Sequence, residues 1–137
     1  MNRTAVDTSV AVPLLVSSHT AHAAVIVWAK GRSLALSGHA LAETYSVLTR
    51  LPGDARVDPH DAVTLIDEAF GDAVVLDEAA SRAVHRELAA RGIAGGAVYD
   101  GLVAAAAQGQ GLTLATRDAR ARGTYEAFGA RVELVAS

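Results

Sequence analysis

Four acidic residues lie where short apolar runs end or helices begin, and they are the residues best suited to chemistry. They are Asp7, Glu43, Asp100 and Asp118. Carboxylates held close together repel one another, which raises their pKa values when no cation is bound. Mg²⁺ or Mn²⁺ relieves this repulsion, prefers oxygen ligands and activates water beside a phosphoryl group. Because the chain has no Cys and no obvious His ligands, the pattern favours phosphodiester hydrolysis over zinc-peptidase chemistry.

Each acid also has an ordinary structural role open to it. Asp7 and Asp118 could cap the helices that follow them, Asp100 could complement a helix dipole, and Glu43 could be a solvated helix residue. Glu43 and Asp100 fit such roles less well, because both lie in strongly apolar stretches, HALAETYSVL and GGAVYDGLVAAAA. A charge there is costly to bury unless it is paired. The only lysine, Lys30, is far away in sequence, so a bound cation is the natural partner.

Alternating strands and helices would bring these acids to one edge of a sheet. Strands are predicted over residues 4–6, 34–36, 73–76, 112–116 and 131–135, and helices over 8–16, 20–30, 39–51, 58–70, 77–91, 98–108 and 119–128. This alternation predicts an α/β fold with a parallel sheet covered on both faces, in which ligands bind beyond the carboxyl ends of the strands. Ser37 and Asp58 are expected to cap the helices that follow them.

Length and composition fit a single domain covering residues 1–137. The chain is 51% hydrophobic and 20% charged, and 30 of its residues are Ala, which favours closely packed helices. The absence of Cys excludes disulfides, zinc fingers and a thiol nucleophile. With no targeting or membrane segment apparent, we expect a cytoplasmic protein with no membrane partner. The net charge of −3 is not that of a protein holding nucleic acid mainly through a basic surface.

Four sequence blocks, in this order, carry the acids. They are VDTSV at 6–10, ALAETYSVLTRL at 40–51, AVYDGLVAAAA at 97–107 and LATRDARARGTYEAFGARVEL at 114–134. With these blocks the chain resembles the PIN domain, in particular the VapC-type toxins of bacterial toxin–antitoxin pairs. The resemblance implies a three-layer α/β sandwich with a parallel sheet of about five strands in the order 3-2-1-4-5. It also implies a Mg²⁺-dependent endoribonuclease, with Mn²⁺ able to substitute, inhibited by a cognate VapB-type antitoxin.

The resemblance also assigns roles to individual residues. All four acids would be catalytic, with Asp7 and Asp100 as direct metal ligands, and Glu43 and Asp118 binding metal either directly or through water. Thr116 and Ser9 match hydroxyl residues of the family and would orient the carboxylates. Two bound Mg²⁺ ions would change the formal charge from −3 to about +1, so that the ions and a few arginines could hold RNA phosphates. The candidate arginines are Arg82, Arg86, Arg117, Arg120 and Arg122.

Other interpretations of the chain remain open. A receiver-like phosphoacceptor also gathers acids at strand ends, but it needs a Lys after a late strand, and Lys30 is wrongly placed. A catalytically inactive PIN-like scaffold could bind RNA or a protein partner without cleaving anything. The helices at 20–30 and 39–51 carry more apolar residues than one small sheet needs, so a homodimer and an antitoxin groove are both expected. The tryptophan and the three tyrosines, Trp28, Tyr45, Tyr99 and Tyr125, are dispersed, and core or interface roles are expected for them.

Overall fold

A parallel sheet flanked by helices forms the framework of the computed structural model, which describes residues 3–136. Residues 1, 2 and 137 of the expected domain lie outside the described part. The strands are β1 (Arg3–Val6), β2 (Ser33–Leu36), β3 (Leu114–Thr116) and β4 (Val132–Leu134). The helices are α1 (Thr8–Leu15), α2 (His22–Ala29), α3 (Ala40–Thr49), α4 (Pro59–Ala69), α5 (Glu78–Ala90), α6 (Ala97–Gly109) and α7 (Ala119–Ala127), with a 3-10 turn at Gly53–Ala55.

The strands are short, and β3 inside the sheet is buried on both faces, whereas the edge strand β4 is partly exposed. Successive residues of a strand point to opposite faces, yet Leu114, Ala115 and Thr116 are all fully buried. Helices therefore cover both sides of the sheet, as the sequence predicted. The strand order is β2-β1-β3-β4, with every pair parallel. The chain moves one way from β1 to reach β2 and the other way to reach β3, so the carboxyl ends of β1 and β3 form the switch point where α/β proteins bind ligands.

Small side chains let α6 lie at the centre of the molecule. Residues 104–107 of this helix are alanines that are each at most 2% exposed. Gly38, in the turn between β2 and α3, has φ +54°, and a Cβ there would lie 2.9 Å from the carbonyl oxygen of Leu102 in α6. The turn thus needs glycine both for its left-handed backbone and for its close approach to α6. This contact joins the turn before α3 to α6, and each of these helices carries one of the predicted acids.

The predicted strand at 73–76 was wrong as a strand, so the described sheet has four strands rather than five. Val74 alone pairs with the β2 edge, through an isolated parallel bridge to Ser37. Its N–H donates to the Leu36 carbonyl at 2.8 Å, and the N–H of Gly38 donates to the Val74 carbonyl at 2.7 Å. The segment is too short for more pairing, because α4 ends at Ala69 and Asp77 already caps α5. The place of this segment beside β2 nevertheless agrees with the predicted order.

The helix boundaries follow the capping residues in most places. Asp58 caps α4 as predicted, accepting a hydrogen bond from the His60 N–H at 3.2 Å. The prediction that Ser37 caps α3 was wrong: its hydroxyl is fully buried and donates to the Val103 carbonyl of α6 at 2.8 Å. None of the helices in residues 3–136 combines the length and the apolar character that a membrane crossing requires.

Candidate functional site

Asp7 is the buried centre of the site and lies directly after β1. It is 5% exposed, and no other acid among residues 3–136 is buried. Its Oδ1 accepts hydrogen bonds from the N–H of Ser9 at 3.0 Å and from the Ser9 hydroxyl at 2.6 Å. Its Oδ2 accepts from the hydroxyls of Thr116 at 2.5 Å and Tyr125 at 2.7 Å. Asp7 therefore does cap α1, but the cap accounts for only part of what holds it.

The hydroxyls of Ser9 and Thr116 both point their protons at Asp7. Each hydroxyl has a single proton, and each also accepts a backbone N–H, Ser9 from Arg117 at 2.8 Å and Thr116 from Asp118 at 3.0 Å. Two short chains of hydrogen bonds therefore run from the start of α7 to the two oxygens of Asp7. Both chains suit the carboxylate form, which can only accept. The predicted contact of Ser9 and Thr116 with an acid agrees with this geometry.

Tyr125 is a member of the site that the sequence did not reveal. It lies on α7 and is 2% exposed. Burial, and then the charge of Asp7, raise the pKa of its hydroxyl well above the ordinary value, so it stays protonated and donates. In the sequence Tyr125 looks like an ordinary core aromatic residue, and its ring does belong to the hydrophobic core. The only available signal was its position seven residues after Asp118, which places both on one face of α7.

Asp100 lies close enough to the other three acids for their charges to act on it. Desolvation raises the pKa of Asp100, and the charges of Asp118, Glu43 and Asp7 raise it further in that order. All four predicted acids therefore lie in one region, beyond the carboxyl ends of β1 and β3. Asp118 also caps α7, because its Oδ1 accepts the N–H groups of Arg120 and Ala121 at 3.0 and 3.4 Å. Its Oδ2 takes no part in that cap.

Glu43 differs from expectation in its burial. Its apolar neighbours suggested a buried charge, but the side chain is exposed. The buried residues of α3 are Ala40, Thr44 and Leu48, spaced four apart on one helical stripe. Glu43 lies one position away from that stripe and therefore at its margin. Its carboxylate can reach the acidic region from the solvent side without a large desolvation cost.

The donor set fits a hard divalent cation bound partly through water. Four carboxylates offer only oxygen ligands, and their repulsion around Asp100 is the kind that a cation relieves. Within residues 3–136, no three Asp, Glu or His side chains are close enough to bind one ion together. Mg²⁺ does not need three, because it keeps several waters and is usually bound through one or two carboxylates.

Among the candidate arginines, Arg120 lies nearest to the acids. Its Nε is 3.7 Å from Asp118 Oδ1, its side chain is 96% exposed, and its charge opposes the rise in the pKa of Asp100. Arg82 and Arg122 instead pair with glutamates one turn away on their own helices. Arg86 contacts the ring of His85, and Arg117 contributes its backbone N–H to Ser9.

Sequence comparison agrees with the resemblance noted above. The PIN domain family profile matches residues 4–127. "Ribonuclease VapC27" of Mycobacterium tuberculosis is 57% identical over 132 residues, which cover 96% of each chain. "Ribonuclease VapC40" of the same species is 42% identical over 130 residues, covering 94% of this chain and 96% of the relative.

Structural comparison gives the same fold. A crystal structure of DNA-bound VapBC from Salmonella typhimurium matches with a TM-score of 0.65 and 19% identity, over 98% of each chain. At that identity the match shows the fold alone. The family profile and the two VapC relatives show more than the fold. The chain belongs to the PIN domain family, and its relatives there are VapC proteins.

Proposed function

We propose that this protein is a toxin that acts as a Mg²⁺-dependent endoribonuclease, with Mn²⁺ able to substitute for Mg²⁺. The observation that carries the proposal is the group of four acids beyond the carboxyl ends of β1 and β3, where burial and then the charges of the other three acids raise the pKa of Asp100. A protein that only bound RNA would gain nothing from concentrated negative charge beside phosphates. The VapC relatives named as ribonucleases support the same activity.

The four acids would share the binding of the cation. Asp7, which is buried, and Asp100, which is half-buried, would bind it directly. Glu43, which is exposed, and Asp118, which is half-buried, would bind it directly or through water. Ser9 and Thr116 hold the Asp7 carboxylate in one orientation through the hydroxyl contacts described above. Two bound ions would be needed to change the net charge from −3 to about +1.

A bound divalent cation would supply an activated water and positive charge next to the phosphoryl group. The chain's own residues would position the RNA and the metal-binding carboxylates. Arg120, exposed beside Asp118, is placed to neutralise a phosphate of the RNA, and exposed guanidinium groups bind phosphate through paired N–H groups. The β1–β3 framework keeps Asp7 in place while substrate approaches from the open side that carries Glu43 and Arg120.

RNA, a cognate VapB-type antitoxin and a second copy of the chain are the proposed partners. Exposed apolar side chains support protein partners: Val27 on α2 is 66% exposed, Leu41 on α3 38%, and Val63 on α4 48%. The Salmonella neighbour is itself a VapBC assembly by its description. Light scattering on the isolated chain tests the dimer, since the proposal expects twice the mass of 14.1 kDa and a monomer at every concentration contradicts it.

Mapping the ends of cleaved RNA tests the proposed reaction. A structured RNA pool is incubated with nuclease-free protein in Mg²⁺, in Mn²⁺ and in EDTA. We expect cuts in both metals, none in EDTA, and 5′-phosphate and 3′-hydroxyl ends. Products with 2′,3′-cyclic phosphates would contradict the proposal, because they indicate attack by the RNA's own 2′-hydroxyl. Cleavage that persists in EDTA would contradict metal dependence.

A further inference from the structure

The side chain of Tyr125 has a feature that core packing does not require. Its ring belongs to the buried cluster, but its hydroxyl donates to Asp7 Oδ2 across 118 positions of sequence, at 2.7 Å. A phenylalanine would fill the same volume. The hydroxyl therefore serves the carboxylate rather than the packing, since a buried Tyr keeps its hydroxyl only where a partner satisfies it.

The two oxygens of Asp7 are held from different sides. Oδ2 meets Thr116 and Tyr125, which are 0% and 2% exposed, so this oxygen faces the interior. Oδ1 meets only Ser9, which is partly exposed. Both protons on Oδ2 come from groups fixed by the core, one at the end of β3 and one on α7. Oδ1 takes both of its hydrogen bonds from the partly exposed Ser9, one from the backbone N–H and one from the hydroxyl.

We propose that Tyr125 is a positioning residue for metal binding: its hydroxyl anchors Asp7 Oδ2 in the interior, so that Asp7 offers the cation its other oxygen, Oδ1. The inference rests on the proposed function, because it takes Asp7 as a metal ligand. Without Tyr125, Oδ2 would keep only the hydrogen bond from Thr116, and the interior side of the carboxylate would be held less firmly. With two anchors on one oxygen, the plane of the carboxylate is fixed before the cation arrives, which lowers the cost of binding.

Calorimetric titration of Mg²⁺ into Tyr125→Phe, compared with the unaltered protein, tests the proposal. The substitution removes one oxygen and leaves the ring in the core. Loss of a group that orients a ligand typically weakens metal binding about 10–100-fold, and we expect a loss in that range. Tyr45→Phe is the matched control, because Tyr45 lies on α3 and is 37% exposed, and its Mg²⁺ affinity should not change.

A second readout separates positioning from a loss of chemistry. RNA cleavage by Tyr125→Phe should recover as Mg²⁺ is raised, since only the affinity for the ion is impaired. Cleavage by Asp100→Asn should not recover at any Mg²⁺ concentration. If Tyr125→Phe binds Mg²⁺ as tightly as the unaltered protein, the positioning role is wrong. If Asp100→Asn also binds Mg²⁺ as tightly and cleaves as well, the proposed function itself is wrong, so the two failures are distinguishable.

A measurement on the unaltered protein covers the case in which Tyr125→Phe does not fold. With ¹³C-labelled tyrosine, the ring carbon that bears the Tyr125 hydroxyl should shift in the NMR spectrum as Mg²⁺ saturates the protein, because its hydrogen-bond partner becomes a metal ligand. The corresponding carbon of Tyr45 should not shift. A Tyr125 signal that ignores saturating Mg²⁺ would overturn the inference.

Discussion

At the scale of single residues, the acids of the site differ in what surrounds their carboxyl groups. Asp7 is buried and faces four donors, whereas Asp100 faces the charges of three other acids. Two aspartates that the sequence treats alike therefore stand in opposite surroundings. The Asp7 carboxylate is surrounded by hydrogen-bond donors, whereas burial and neighbouring negative charges raise the pKa of Asp100.

Asp7→Asn should destabilise the protein, although it changes only one atom. An amide offers one acceptor and one N–H₂ group, so two of the four donors around residue 7 would face another donor. Leaving buried donors unsatisfied costs about 1–3 kcal/mol, and we expect a loss in that range in urea unfolding. Asp100→Asn, with no donors to oppose, is the control. Equal stability of Asp7→Asn and the unaltered protein would contradict the hydrogen-bond arrangement.

The pH dependence of stability follows from the surroundings of Asp100. Burial and neighbouring acids raise its pKa above the ordinary 3.8, so the folded protein keeps a proton there after the unfolded chain has lost it. Because the folded state binds more protons in that interval, its free energy of unfolding should fall as the pH rises from 3.8 through the raised pKa. Asp100→Asn removes this contribution.

Unfolding experiments in EDTA between pH 3.5 and 7 check this sign. Relative to the unaltered protein, Asp100→Asn should gain stability as the pH rises and keep that gain at neutral pH. A variant that loses stability over the same interval would show that Asp100 is stabilised by an unrecognised partner.

The site residues differ in how far the sequence could reveal them. The four acids, Ser9 and Thr116 were predicted because they fall at strand ends and in the blocks that resemble a known family. Their metal and catalytic roles stay a prediction. Tyr125 could not be found, because only the packing of α7 on β3 and α6 brings its hydroxyl to Asp7. The exposure of Glu43 was hidden by neighbours that are apolar in sequence but lie on another face of α3.

At the scale of elements, the short turn between β2 and α3 makes a close contact with α6. Gly38 meets the backbone of α6 there, and α3 and α6 carry Glu43 and Asp100. The strand at 73–76 was mispredicted because it was inferred from apolar residues alone. Those residues do not show how short the segment between the end of α4 and the cap of α5 is. Ser37 was mispredicted as a cap because its alternative acceptor lies on a helix 66 positions away.

Gly38→Ala should loosen the arrangement of α3 and α6. A Cβ would need a left-handed backbone and would press on the Leu102 carbonyl at 2.9 Å. The two effects together predict a loss of about 2–4 kcal/mol in urea unfolding. Gly71→Ala is the control, since nothing lies within 4 Å of a Cβ at that position, and it should change stability by less than about 0.5 kcal/mol. Similar losses in both variants would contradict the close approach.

At the scale of the whole molecule, the net charge of −3 and the acidic site favour the binding of cations over the binding of RNA phosphates by the protein alone. The strand order and the helix layers were predictable, because alternation of strand and helix leaves few parallel arrangements and the family resemblance chose among them. The partner surfaces were only partly predictable, since apolar residues of α2 and α3 divide between core and surface in a way that the pattern does not show.

Mg²⁺ should stabilise the whole fold by mass action. A single site held at 100 times its dissociation constant adds about 2.7 kcal/mol to the free energy of unfolding. Thermal unfolding should therefore shift upward as Mg²⁺ is added. The shift should be much smaller for Asp100→Asn titrated over the same concentrations. Equal shifts in both proteins would place the ion elsewhere.

The cleavage rate of a structured RNA pool by the unaltered protein and by Asp100→Asn, in Mg²⁺ and in EDTA, tests the central claim most directly. Asp100→Asn removes one acid from the centre of the acidic group, and we expect the variant to keep the fold. The account predicts Mg²⁺-dependent cleavage by the unaltered protein, lost in EDTA and reduced at least about 100-fold in the variant, as expected when a metal-coordinating acid is removed. Equal Mg²⁺-dependent cleavage by the two proteins would contradict it.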